Sequence, residues 1–188
     1  KIGNQIGETV IIMATSTGAT LAAAAALDEA AMENIGGIIF ISPNFAINSR
    51  AASLLTWPFA RQWVPLVIGA EQQGIARNDL HARYWTMNYP TTALMPMAAI
   101  VAAVDQESFD DVDIPALFYY SRQDQVVAPD KTAEFARSWG GASTTLIASL
   151  TADDDKFSHI IAGDIVSPNQ TASAVEHMVA WITGLQNR

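Results

Sequence analysis

The chain has 188 residues, of which 50% are hydrophobic and 15% are charged, and these values suit one globular domain with an insertion. Ten Lys and Arg against 19 Asp and Glu leave a net charge of −9, whose field disfavours nucleic acid and anionic lipid surfaces as partners. The lack of cysteine excludes disulfides, thiol nucleophiles and thiolate metal sites. No apolar run approaches the roughly 20 residues that a membrane span needs.

The first part of the chain alternates apolar and helical stretches. A β-branched apolar run at Thr9–Ala14 predicts a buried strand, and the alanine-rich stretch Gly18–Glu33 predicts a helix after it. Ile38–Ile41 predicts a second buried strand, which Ser, Pro and Asn end. This strand-helix-strand order is typical of a parallel β-α-β unit.

The next segment, residues 44–97, is rich in aromatic residues and proline and does not continue the alternation. It is too long and too apolar for a plain loop, so we expect a helical cap or lid inserted between two core parts, 1–43 and 98–188. Four aromatic side chains of this segment are candidates for lining a substrate pocket, although packing of the cap on the core accounts for them equally well. They are Trp57, Phe59, Trp63 and Trp85.

The alternation returns in the last part of the chain. The predicted elements there are a helix at Pro96–Val104, a strand at Pro115–Tyr120, a helix at Asp130–Trp139 with Asp130 as N-cap, a strand at Ser143–Ala148 and a helix at Thr171–Leu185. One face of the last helix should be apolar and carries Ala174, Val175, Met178, Val179 and Ile182. The whole pattern predicts an α/β fold, with a mostly parallel sheet flanked by helices.

The pentapeptide Ala14-Thr15-Ser16-Thr17-Gly18 lies between the first predicted strand and the first predicted helix. Strand, tight turn and helix are the setting of a nucleophile elbow, in which a serine hydroxyl projects from the carboxyl edge of the sheet. Small residues are expected two positions before and after the serine, because the backbone approaches itself closely there. Alternatively, Ser16 or Thr15 only caps the helix.

A nucleophilic serine needs a base, and the base needs an acid that orients it. Asp124 follows the third predicted strand and His159 follows the fourth, so both should face the same edge of the sheet as the elbow. Asp130 is a rival acid, but its place before a helix favours capping. The remaining histidines, His81 in the insertion and His177 in the last helix, are poorer candidates for the base.

The order Ser16, Asp124, His159 is the chain order of the α/β-hydrolase triad. The sequence D-x-V-V-x-P begins at Asp124 and H-x-x-x-G-D begins at His159. With these motifs, the chain resembles the C-terminal part of an α/β-hydrolase, from the nucleophile strand to the last helix. It is similar to the serine esterases and monoacylglycerol-lipase-like enzymes that carry a helical cap.

The resemblance implies hydrolysis of a small-molecule carboxylic ester with an apolar acyl or alkyl group, without a metal or an organic cofactor. Ser16 would be the nucleophile, His159 the base, Asp124 the orienting acid and the Thr17 N–H an oxyanion donor. Thioester hydrolysis, acyl transfer and C–C bond hydrolysis would use the same triad and remain open. A catalytically silent, hydrolase-like binding module is the alternative outside enzymes.

The serine lies at residue 16, whereas members of the family have roughly a hundred residues before their elbow. We therefore expect an upstream part, with further strands and the second oxyanion donor, outside this sequence. The strand Thr9–Ala14 would then be an open sheet edge, which an upstream fragment of the same protein or a second copy of the chain would cover.

Two further expectations concern an acidic run and the compartment. Asp153, Asp154 and Asp155 lack the alternate spacing of a calcium loop, so a solvated loop is expected there. The sequence leaves the compartment open and slightly favours the cytoplasm.

Overall fold

The computed structural model describes residues 2–49 and 51–186, and a four-stranded parallel sheet lies at its centre. The strands in chain order are β1 (Val10–Thr15), β2 (Ile35–Ile41), β3 (Glu71–Gln73), β4 (Asn88–Pro90), β5 (Ala116–Tyr120) and β6 (Ser143–Ile147). The central sheet has the order β1-β2-β5-β6, and each neighbouring pair is parallel. The loops that follow β1, β5 and β6 therefore meet at one edge of the sheet.

Helices cover both faces of this sheet. In chain order, the α-helices of the described residues are α1 (Gly3–Ile6), α2 (Thr17–Ala26), α3 (Ala60–Ile68), α4 (Asp79–Tyr84), α5 (Leu94–Val104), α6 (Pro129–Ser138) and α7 (Thr171–Gln186), of which α2, α6 and α7 pack on the sheet. Side chains alternate between the faces along each strand. Phe40 stacks on Phe118 at 5.0 Å on the face that α2 and α6 cover, whereas Ile39 and Leu117 pack with Met178 of α7 on the other. The predicted α/β class is confirmed.

The last helix crosses the sheet very close to β2. A Cβ built on Gly37 would lie 2.8 Å from the Trp181 ring and 2.9 Å from the Leu185 side chain, so only glycine fits there without a shift. The expected apolar face of this helix is wrong in part, because Val175 and Val179 are 55% and 54% exposed. The packed face is narrower than the sequence pattern indicated, since those two valines point away from the sheet.

The end of one helix and the start of another differ from the expectations for local reasons. The helix expected to reach Glu33 ends at Ala26, because the Asp28 carboxylate accepts bonds from the Ala30 and Ala31 N–H groups and forms a turn instead. Asp130 is not an N-cap: α6 begins at Pro129, which suits a first helical position. The N-cap residue is Ala128, and Asp130 lies inside the first turn.

The segment between β2 and α5 is built from short elements. A 3-10 turn at Ala52–Thr56, α3, and α4 give it the helical character that the sequence indicated, but it also contains an antiparallel pair, β3 and β4. β1 pairs with β2 and forms one edge of the central sheet. Among the residues that the structure describes, no helix combines the length and the apolar character that crossing a bilayer requires.

Candidate active site

Ser16 follows β1 directly and adopts an unusual backbone conformation. Its φ of 52° and ψ of −123° lie in a region that residues with a Cβ rarely enter. The turn is held by β2, because the Ser16 N–H donates to the Ile41 carbonyl oxygen at 3.0 Å. The Ser16 carbonyl oxygen accepts from the N–H groups of Ala19 and Asn44 at 3.0 and 3.1 Å. The Ser16 side chain makes no capping bond, so Ser16 does not cap α2 through its hydroxyl.

The structure brings Ser16, His159 and Asp124 into one hydrogen-bonded line. Ser16 Oγ lies 3.1 Å from His159 Nε2, and His159 Nδ1 lies 2.8 Å from Asp124 Oδ2. An ionised carboxylate only accepts, so Nδ1 must donate, and Nε2 is left to accept the serine proton. The three residues lie in the loops that follow β1, β5 and β6.

Backbone N–H groups hold the Asp124 carboxylate in place independently of its contact with the histidine. Its Oδ1 accepts from the Val126 and Val127 N–H groups at 2.8 and 2.9 Å, which leaves Oδ2 for the imidazole. Asp124 is only 4% exposed, so the pair with His159 is shielded from water. The candidates Asp130, His81 and His177 make no contact of this kind, and His177 Nδ1 bonds within its own helix, to Ser173.

The loop before His159 overturns the expectation of a solvated acidic run. Asp154 and Asp155 are 1% and 5% exposed, and only Asp153 of the three is on the surface. Asp155 accepts bonds from three backbone N–H groups, including that of His159 at 3.0 Å. A run of three carboxylates predicts a solvated loop. The spacing of the run gives no information about the hydrogen-bond donors that surround it in the folded chain. The one available signal was the spacing of four residues from Asp155 to His159, which permits a turn.

Asp154 is paired by a separate set of donors. Its Oδ2 accepts from the Thr151 N–H and hydroxyl, both at 2.9 Å, and from the Gln170 amide at 2.8 Å. Burial alone would raise the pKa of Asp154, but these hydrogen bonds outweigh it, and the pKa lies below its ordinary value. Among the described residues no group of His, Asp and Glu side chains could hold a metal ion.

Thr17 and Asn44 lie beside Ser16. Thr17 opens α2, where backbone N–H groups have no partner inside the helix and can face an anion. Asn44, which the sequence did not single out, is 4% exposed and donates to Thr17 Oγ1 at 3.2 Å. The expected need for a small residue at 18 is wrong: a Cβ on Gly18 would meet nothing within 4 Å.

An apolar cavity of about 720 Å³ opens beside the serine. It is bordered by Ser16, His159, Ile41, Trp85 and the segment 160–166. The other aromatic candidates lie elsewhere. Trp57 and Phe59 border a separate cavity of about 470 Å³, and the Trp63 indole donates to the Pro58 carbonyl oxygen.

The comparisons with known proteins agree with this fold. The sequence pattern of the family described as Serine aminopeptidase, S33, matches residues 2–152. A structure from the metagenome-derived lipolytic enzymes LipS and LipT superposes with a TM-score of 0.64 at 18% identity, over 96% of this chain and 67% of that chain. A soluble variant of monoglyceride lipase from Saccharomyces cerevisiae gives 0.62 at 14% identity, over 98% and 64%.

Mouse alpha/beta hydrolase domain-containing protein 10 superposes with a TM-score of 0.56 at 14% identity, over 99% of this chain and 65% of that chain. None of the curated proteins matches the chain significantly. The chain thus spans about two thirds of the length of the solved structures that it resembles. Because the family pattern covers most of the sequence, the chain belongs to the serine aminopeptidase S33 family of α/β-hydrolases.

Proposed function

We propose that the protein is a serine hydrolase that cleaves carboxylic esters with an apolar acyl or alkyl group. The observation that carries this proposal is the line from Ser16 Oγ through His159 to Asp124, with contacts of 3.1 and 2.8 Å. Serine alone is a weak nucleophile, and a base within hydrogen-bonding distance is what makes it reactive. The lipolytic enzymes and the monoglyceride lipase of the same fold support esters as the substrate class.

The first half of the reaction forms an acyl-enzyme. Ser16 Oγ attacks the ester carbonyl carbon while His159 Nε2 takes the hydroxyl proton. Asp124 holds the Nδ1–H and stabilises the imidazolium that results. The tetrahedral intermediate then collapses, His159 gives the proton to the leaving alkoxide, and the alcohol departs from the acylated Ser16.

The second half returns the enzyme to its starting state. Water takes the place of the alcohol, His159 Nε2 accepts its proton, and the hydroxide oxygen attacks the acyl carbon. Collapse of this second intermediate breaks the bond to Ser16 Oγ, which recovers its proton from His159. The carboxylic acid is released, and the overall reaction consumes one water for each ester.

The negative charge of both intermediates needs donors. The Thr17 N–H at the start of α2 is one, and the positive end of that helix stabilises charge at the same place. Removal of one oxyanion donor typically lowers kcat about 10²–10³-fold, so a second donor contributes strongly in any complete site.

The apolar group of the substrate fits the cavity beside Ser16, and residues 44–97 act as the cap over it. The cavity wall includes Ile41, Trp85 and the isoleucine-rich segment after His159, which favour an acyl or alkyl chain over a charged group. The same attack on a thioester, or transfer to an acceptor other than water, would need no change in these residues, so the substrate panel below separates those reactions.

A fluorophosphonate probe tests the proposal directly. We expect a covalent adduct on Ser16 by mass spectrometry, none in Ser16→Ala, and hydrolysis of p-nitrophenyl esters of increasing chain length. Thioesters, aminoacyl p-nitroanilides and an added alcohol acceptor identify the preferred bond and acceptor. Absence of an adduct and of all turnover in the folded, full-length protein would refute the proposal and leave the silent binding module.

A further inference from the structure

Asp155 holds the backbone of the loop that carries His159. Its Oδ2 accepts hydrogen bonds of 3.0 Å from the N–H groups of both His159 and Ile160. Its Oδ1 accepts a longer bond of 3.3 Å from the Phe157 N–H. Because Asp155 is 5% exposed, these donors take the place of the water that would otherwise solvate the charge.

The insertion supplies the positive charge beside this carboxylate. Arg77 Nη1, from the segment just before α4, lies 3.5 Å from Asp155 Oδ1. The same guanidinium donates to the carbonyl oxygens of Asp154 at 2.7 Å and of Val166 at 3.4 Å. One side chain of the insertion therefore contacts the loop on both sides of the histidine.

The ring and the backbone of His159 are held by different carboxylates. Asp124 bonds to the ring at Nδ1, which sets its rotation and leaves the position of the Cα open. Asp155 bonds to the backbone N–H, directly after Ser158, whose φ of 55° is unfavourable for a residue with a Cβ. Without the Asp155 carboxylate this turn could relax and carry Nε2 away from Ser16 Oγ.

We propose that Asp155 is a positioning residue for the catalytic histidine, and that Arg77 of the insertion keeps its carboxylate in place. The proposal rests on the proposed function, because the position of His159 affects a rate only if the imidazole moves a proton. Through this pair, a displacement of the segment around Arg77 shifts the base relative to the nucleophile.

The main test compares Asp155→Ala and Asp155→Asn with the wild type in p-nitrophenyl butyrate hydrolysis. Because a misplacement of about 1 Å can cost about 10²-fold in rate, kcat of D155A should fall by about 10²-fold while KM changes little. D155N keeps one oxygen as an acceptor for the His159 and Ile160 N–H groups, so its kcat should fall by only about 10-fold. The fluorophosphonate probe gives the concentration of active sites, by which each rate is divided. If Asp155 only stabilised the fold, kcat calculated in this way would be the same in the variants and in the wild type.

Arg77→Gln tests the link from the insertion. We expect a lower kcat in the wild-type background and a smaller further effect in D155N, because the ion pair is already lost there. Asp153→Asn and Arg83→Gln are the matched controls. They remove the same charges at exposed positions of the same loop and of the same insertion, and should leave kcat and KM unchanged.

Hydrogen exchange of the wild-type protein needs no variant. The His159 and Ile160 amides should exchange slowly, because both are bonded to the buried Asp155 carboxylate. Wild-type kcat in folded D155N, or exchange of both amides at the rate of open loops, would overturn the proposal. A wild-type protein that is neither labelled nor active would instead refute the proposed function, and amide exchange would still decide whether Asp155 holds the loop.

Discussion

Replacement of Ser16 by glycine should stabilise the protein relative to replacement by alanine. Ser16 has φ 52° and ψ −123°, a conformation that costs a residue with a Cβ about 1–3 kcal/mol. Glycine adopts this conformation without strain, but the larger entropy of its unfolded chain costs about 0.4–1 kcal/mol. The free energy of unfolding of Ser16→Gly should therefore exceed that of Ser16→Ala by about 1–2 kcal/mol.

Alanine is the matched reference, because both variants lack the hydroxyl and lose its hydrogen bond to His159. Urea unfolding, followed by tryptophan fluorescence, gives the midpoint of the transition for each variant. Equal dependence of the free energy of unfolding on urea concentration would show that the unfolded states are comparable. Neither variant should react with the fluorophosphonate. If S16G proves no more stable than S16A, the backbone at residue 16 is not strained, and the reasoning from its φ and ψ angles is refuted.

Four further outcomes follow from the contacts described above. Asp124→Asn should lower kcat by about 10⁴-fold in a folded protein, because an amide permits the wrong imidazole tautomer; ester kinetics alongside circular dichroism check this. Gly37→Ala should lower the free energy of unfolding by about 1–3 kcal/mol in urea, since the new Cβ would lie 2.8 Å from the Trp181 ring. Asp154→Asn should destabilise the protein at neutral pH. Because the pKa of Asp154 is lowered on folding, its contribution is present above the ordinary value of about 3.9, and the difference from wild type in thermal unfolding should shrink as the pH falls below it. Trp85→Ala should raise KM for octanoate more than for acetate esters, and an equal change for both would contradict its place in the pocket.

Elementary rules of parallel sheets were sufficient to bring the triad candidates together. Ser16, Asp124 and His159 lie in loops that follow β1, β5 and β6, and parallel strands present such loops at a common edge. Of these three strands only β5 is buried throughout, whereas β1 and β6 are partly exposed. The side chains indeed lie within hydrogen-bonding distance of one another. Strand positions are predictable here because the runs Ile38–Ile41 and Ala116–Tyr120 are buried on both faces, which leaves little ambiguity in their pattern.

The surroundings of the histidine were not predictable in the same way. Whether Asp155 is solvated or buried depends on donors contributed by the turn after it and by Arg77, which lies far away in the chain. A local sequence pattern does not predict a contact between two segments that lie far apart in the chain. The sequence rule that a run of charges is exposed therefore failed where tertiary contacts replace water.

The short elements of residues 44–97 were only partly predictable from the sequence. The aromatic content of this segment was equally compatible with lining a pocket and with packing on the core, and of the four candidates only Trp85 borders the cavity next to Ser16. Phe59 is 77% exposed, and the short pair of strands β3 and β4 had no clear period in the sequence. Short elements are set by their contacts with the rest of the fold, so a single sequence contains little information about them.

Ser16 and His159 lie 143 positions apart in the chain, and their contact depends on strands of one sheet. A probe that reacts only with an activated serine thus counts molecules in which the whole β-layer has assembled in register. During refolding or heating, the amount of labelled protein would give the fraction of native molecules, independently of the secondary-structure content measured by circular dichroism. Under the proposed function, the reaction with this probe would measure the fraction of molecules that is fully folded.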